Sequence, residues 1–141
     1  MKKIILASVL MLSVVFVSAT NKSLTVKSIS NEIETLESVS PFCKLIQKGD
    51  YHAVKTLIEN GANVNLKSMG LTPLMFAARH NKSDIAELLI QHGAKLKTKS
   101  TKGFTALKYA ELSGAKDSFK VIKNAIETQK SLKKRKHRQV I

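Results

Sequence analysis

The sequence predicts an all-α repeat solenoid, a short stack of about three helix–turn–helix units joined by hairpin loops. Three observations lead there. Gly70-Leu71-Thr72-Pro73-Leu74-Met75-Phe76-Ala77-Ala78 is echoed 33 residues later by Gly103-Phe104-Thr105-Ala106-Leu107-Lys108-Tyr109-Ala110-Glu111. Glu59-Asn60-Gly61-Ala62-Asn63-Val64-Asn65 returns 32 residues later as Gln91-His92-Gly93-Ala94-Lys95-Leu96-Lys97. Helix starts and stops fall at matching points of each copy. Self-similarity at this period marks units that are too small to bury their own apolar faces and must stack.

Each element follows from local chemistry. Ser40-Pro41 opens the first helix, because serine caps free N–H groups and proline tolerates the first helical position. Phe42, Leu45 and Ile46 give it an apolar face, and Gly49 ends it. Asp50 caps a second helix whose stripe is Ala53, Val54, Leu57 and Ile58, stopped by Asn60-Gly61. Thr72-Pro73 starts a third helix running to about His80. A fourth covers roughly Ser83 to His92, with Ile85, Ala86, Leu88, Leu89 and Ile90, and Gly93 stops it. Thr105 caps a fifth with Leu107 and Ala110 inward. After Gly114 a longer helix starts near Lys116, carrying Phe119, Val121, Ile122 and Ile126. Helices this short are marginal alone, so stacking must hold them.

These motifs resemble the ankyrin repeat. Gly70 to Lys97 is similar to the family's full unit, a Gly-x-Thr-Pro-Leu-His-x-Ala-Ala helix, a second helix ending in Leu-Leu, and a Gly-Ala-Asp-Val-Asn hairpin. Pro41 to Asn65 resembles an N-terminal capping unit and Gly103 to about Glu127 a C-terminal one. Three departures imply a less regular array. The family's histidine after Thr-Pro-Leu, which hydrogen-bonds between loops, is Met75 here and Lys108 in the third unit. The inter-helix glycine of the middle unit is Asn81, a residue that accepts left-handed backbone. The loop before Gly70 is one residue shorter than the loop before Gly103.

The expected organisation is a signal peptide at 1–19, a linker or short helix at 20–40, and repeats over 41–128 with units of about 41–65, 66–98 and 99–128. A basic disordered tail at 129–141 completes it. The leader reading rests on Lys2-Lys3, the apolar run Ile4–Val17 and the small residues Val17-Ser18-Ala19. The run is shorter than the roughly 20 residues of a spanning helix, which favours cleavage near Ala19 and a periplasmic or secreted product over a retained anchor. Ile29, Ile33 and Leu36 at helical spacing leave a docked helix and a solvated linker equally open for 20–40.

The formal charge is +14, from 24 Lys+Arg against 10 Asp+Glu. Six of the positives lie in the tail, as Lys130, Lys133, Lys134, Arg135, Lys136 and Arg138. Such a run reads as an import signal or nucleic-acid clamp. Export excludes both, so no nucleic acid is expected, and the open readings are contact with an anionic envelope or no specific role. Cys43 is the only cysteine, so no internal disulfide forms; an inert thiol on the first helix is the expectation. The four histidines lack metal-ligand spacing, and neither a phosphate loop nor a nucleophile elbow is present. Asp50 and Asp84 read as helix caps. No cofactor, metal or catalytic site is expected, and the chain is read as a non-enzymatic module.

The resemblance implies a partner surface of hairpin tips and first-helix exposed positions. Residue by residue these are Ser68, Met69, Leu71, Arg79 and His80 in the middle unit, and Thr101, Lys102, Phe104, Leu112 and Ser113 in the third. Gln47 and Lys48 are the counterparts in the first. Leu71 and Phe104 are the candidate apolar anchors, although Phe104 could equally pack on its own hairpin. Lys95, Lys97 and Lys99 alternate along the second loop, either as a cationic finger or as a solvated stretch. The reading is a monomeric exported protein binding an acidic protein partner through hairpin tips and concave face. The alternatives are an inhibitor, immunity-type or effector protein that blocks an enzyme, and an envelope-associated protein held by its tail.

Overall fold

The structure, a computed structural model, describes residues 38–139. The expected signal peptide and residues 20–37 of the linker lie outside the described residues. Six helices follow one another: α1 (Pro41–Lys48), α2 (Tyr51–Glu59), α3 (Pro73–Arg79), α4 (Ser83–Gln91), α5 (Ala106–Leu112) and α6 (Lys116–Gln139). The first helices α1, α3 and α5 pack side by side in one layer, and α2, α4 and α6 form a second layer behind them.

The starts are chemical. Ser40 Oγ accepts the Cys43 N–H at 3.3 Å, and Asp50 Oδ1 accepts the Ala53 N–H at 3.0 Å. The Thr72 and Thr105 hydroxyls do the same for Met75 and Lys108, each at 3.3 Å. Each satisfies an orphan donor of a first turn. Asp84 departs from the expectation. Lys82 is the N-cap residue of α4 without a side-chain cap bond, and Asp84 sits inside the first turn, where its charge faces the positive end of the helix.

The layer order explains the apolar run of α3. Pro73, Leu74, Met75, Phe76, Ala77 and Ala78 are all buried, because α3 lies between α1 and α5 and backs onto α4. A helix covered on every side has no polar face to spare. Small residues make the close approach possible, with Ala77, Ala78, Ala106 and Ala110 at most 2% exposed. Val54, Ile85, Leu89 and Ile122 close the interior from the second layer.

Residues 129–141 were expected to be a disordered tail, and over residues 129–139 the structure has helix instead. α6 continues without a break to Gln139. From Lys116 it contains neither Gly nor Pro, lysine and arginine are good helix formers, and the cations of its last turns face the negative end of the macrodipole.

A groove between hairpin tips and first helices

The two loop tips differ by one residue, and the difference decides their geometry. Ser68 and Leu71 pair in a β-bridge, with N···O distances of 2.9 and 3.0 Å. Between them Met69 (φ 52°) and Gly70 (φ 73°) both lie in the left-handed region, the signature of a tight two-residue hairpin turn. In the next tip Ser100 N–H bonds Phe104 O at 2.9 Å across three residues, and only Gly103 takes positive φ. The longer tip therefore imposes no left-handed backbone on a side-chain-bearing residue.

The tips touch. Thr101 N–H donates to Gly70 O at 3.3 Å, and a Cβ on Gly70 would lie 2.5 Å from the Thr101 methyl. Behind them Asn65 clamps the adjacent loop, donating from Nδ2 to Gly93 O at 3.1 Å and accepting the Lys95 N–H at 2.9 Å. Lys67 Nζ adds a bond to Lys99 O at 2.8 Å. These bonds take up the loop bridging that the resemblance assigned to a histidine. Met75 in that place is fully buried, and its sulfur accepts the Thr72 N–H at 3.3 Å. Lys108 turns outward to Glu111 at 2.8 Å.

Between the tips and the C-terminal ends of α3 and α5 lies a groove of about 450 Å³. Its lining is Met69, Leu71, Arg79, Thr101, Lys102, Phe104, Tyr109, Leu112 and Ser113. Eight of these nine were singled out from the sequence; Tyr109 was not. Met69 is 57% exposed and Leu112 60%, while Leu71 is half-buried against the core. Phe104 combines its two alternative readings. It packs edge-on against Tyr109, with ring centroids 5.9 Å apart, and remains 37% exposed. The Tyr109 hydroxyl donates to Ser100 Oγ at 3.1 Å, so the aromatic pair is held by the tip itself. The only charged side chains of the lining are the cations Arg79 and Lys102.

Other candidates fall elsewhere. Ser68 is structural, its hydroxyl accepting the Ser40 N–H at 2.8 Å. His80, Gln47 and Lys48 do not line the groove. His80 is exposed, and partial burial, then Arg79, then Lys82 hold its pKa below the usual imidazole value. Lys95, Lys97 and Lys99 are exposed, whereas Leu96 between the first two is buried and Thr98 between the last two half-buried, so the three lysines share one side of the loop, outside the groove. Cys43 is 1% exposed; burial pushes its thiol up, with a smaller opposing pull from its hydrogen bond to Ser40. A thiol in that state is a poor nucleophile.

Sequence reasoning missed one further residue. Asn81 sits at φ 50° between α3 and α4. Its Oδ1 accepts the Ser118 N–H at 3.1 Å and its Nδ2 donates to Asp117 Oδ2 at 3.0 Å. Asn81 thus caps the first turn of α6 from the neighbouring unit, and the Ser118 hydroxyl returns a bond to Ala77 O at 3.4 Å.

Comparison with known proteins agrees with this geometry. The family described as ankyrin repeats (3 copies) matches residues 15–100 and 42–133. The chain is 38% identical over 74 residues to the human 2-5A-dependent ribonuclease, covering 51% of this chain and 10% of that protein. It is 28% identical over 89 residues to an ankyrin repeat protein of Rickettsia bellii, covering 58% of this chain and 53% of that one. The chain thus spans about a tenth of the first relative and about half of the second. The crystal structure of the human ASB11 ankyrin repeat domain superposes with a TM-score of 0.58 at 30% identity, over 61% of this chain and 39% of that one. With repeat period, stacked helix pairs and hairpin tips in agreement, the chain belongs to the ankyrin repeat family.

Proposed function

We propose that this chain is an exported, non-enzymatic binding protein whose groove takes a partner segment carrying an apolar side chain beside a carboxylate. Ankyrin repeats are in general protein–protein interaction modules, and the finer reading rests on the groove lining. Exposed Met69, Leu112 and the edge of Phe104 offer apolar contact, while Arg79 and Lys102 supply positive charge with no acid in the lining. Lys95, Lys97 and Lys99 extend that field along the loop that carries Lys102 and steer an acidic partner during encounter. The leader-like residues 1–19 support export.

The test is a peptide panel in which Leu or Phe is paired with Asp, Asn or Lys, read by fluorescence polarisation. Acidic–apolar peptides should bind best. Met69→Ser with Leu112→Ser should weaken them by about tenfold or more, as loss of buried anchors does, with helicity unchanged by circular dichroism. Equal binding of acidic and basic peptides would sink the reading. Export is checked separately by mass spectrometry of the mature chain, where an N-terminus at Thr20 is expected and a retained Met1 would refute cleavage.

A further inference from the structure

The continuous course of α6 brings cations of the expected tail into line with cations of the third unit. Lys116, Lys120, Lys123, Lys130, Lys134 and Arg138 are spaced by three, four or seven residues and are all exposed. That spacing places them on one strip, about 33 Å long at the helical rise. Ser118 and Ile122 lie on the opposite side and are fully buried, with Ala125 and Ile126 partly covered beside them. Glu127 is the one acid on the strip. None of the six cations forms an ion pair among the described residues. Where the helix stands clear of the stack, every side chain from Glu127 to Arg138 being exposed, Lys133 and Arg135 lie on either side of the strip and Lys136 on the back of the helix.

We infer that the solvent edge of α6 is a docking face for an anionic lipid surface. A straight row of point charges matches a plane of anionic headgroups, each lysine near such a surface contributing about a fivefold in binding constant. The strip contains five lysines, one arginine and no aromatic side chain, so it lacks the stacking platforms and most of the bidentate donors with which nucleic acid is recognised. Beyond Ile126 the only large apolar side chain of the described helix is Leu132, and no described helix is long and apolar enough to cross a membrane. The helix therefore rests on the headgroups by charge and does not sink into them, unlike an interfacial amphipathic helix. No residue of α6 lines the groove, so a chain held this way keeps the groove open. The inference stands independently of what the groove binds.

The test uses the full chain and vesicles of phosphatidylcholine with or without phosphatidylglycerol, read by co-sedimentation at several salt concentrations. Phosphatidylcholine alone reports any contribution of the apolar residues 4–17, which every variant shares. Lys123→Gln with Lys130→Gln and Lys134→Gln should weaken binding to the anionic vesicles on the order of 100-fold. Lys95→Gln with Lys97→Gln and Lys99→Gln removes the same charge from the hairpin loop and should leave binding nearly unchanged. Glutamine keeps helix propensity, and circular dichroism checks that α6 survives. Equal losses in the two triple variants would overturn the inference, reducing it to net charge. So would tighter binding of duplex DNA than of anionic vesicles at equal salt, if the α6 variant abolished it, since the face would then belong to nucleic acid.

Discussion

Met69 is an unbranched side chain held at φ 52° on a tight tip, a conformation that costs a residue with a Cβ about 1–3 kcal/mol. It is also 57% exposed beside the groove. Met69→Gly should therefore raise stability by about 1 kcal/mol in a urea titration while weakening peptide capture, and a loss of stability would show that the strain assignment is wrong. His80 carries a different signal. Its folded pKa is depressed below 6.5, so as pH falls through that value the unfolded chain takes the proton first, and the unfolded state gains stability. Thermal midpoints should fall as pH drops through 6.5 toward the folded pKa, and His80→Gln should flatten that part of the slope. The motif made position 80 visible in the sequence, but the electrostatic surroundings of Arg79 and Lys82 appear only once α3 ends and the chain turns.

At the scale of elements, α6 depends on a residue 35 positions before its first residue. Asn81 supplies the cap that the methyl group of Ala115, immediately before the helix, cannot supply. Asn81→Ala removes the cap and leaves a strained backbone, and should cost about 1–2 kcal/mol, whereas Asn81→Gly relieves the strain and should cost less. Chemical denaturation orders the two variants, and a reversed order would refute the capping role. In the sequence Asn81 reads only as a tolerable replacement for glycine, because a hydrogen bond across 37 residues leaves no local pattern. The starts of α1, α2, α3 and α5 were legible, since a cap and its partner lie three residues apart. Asp84 was misread for the complementary reason: an acid near a helix start looks the same at the cap and two residues further on, inside the first turn.

For the whole described molecule, stability resides in the two-layer interior and not in the length of α6. Ile122→Ala opens a cavity beneath the last unit and should cost about 2–5 kcal/mol. Removing everything after Gln129 deletes only exposed side chains among those described, and should change stability by no more than about 0.5 kcal/mol. Thermal unfolding of the two variants compares them directly. A large loss on truncation would mean that the projecting turns of α6 contribute to the fold.

The sequence by itself determined the repeat period, the helix pairs, four of the caps and eight of the nine groove residues, because those properties are written in short-range spacing and in a motif that recurs. Only the tertiary structure decided that the candidates of two different units share one groove, that Tyr109 joins them, and that Ser68 does not. It also decided that the basic run is the end of a helix, five of whose seven lysines form one line. Each of these is set by the register with which one unit stacks on the next, and that register follows from burying both apolar faces together.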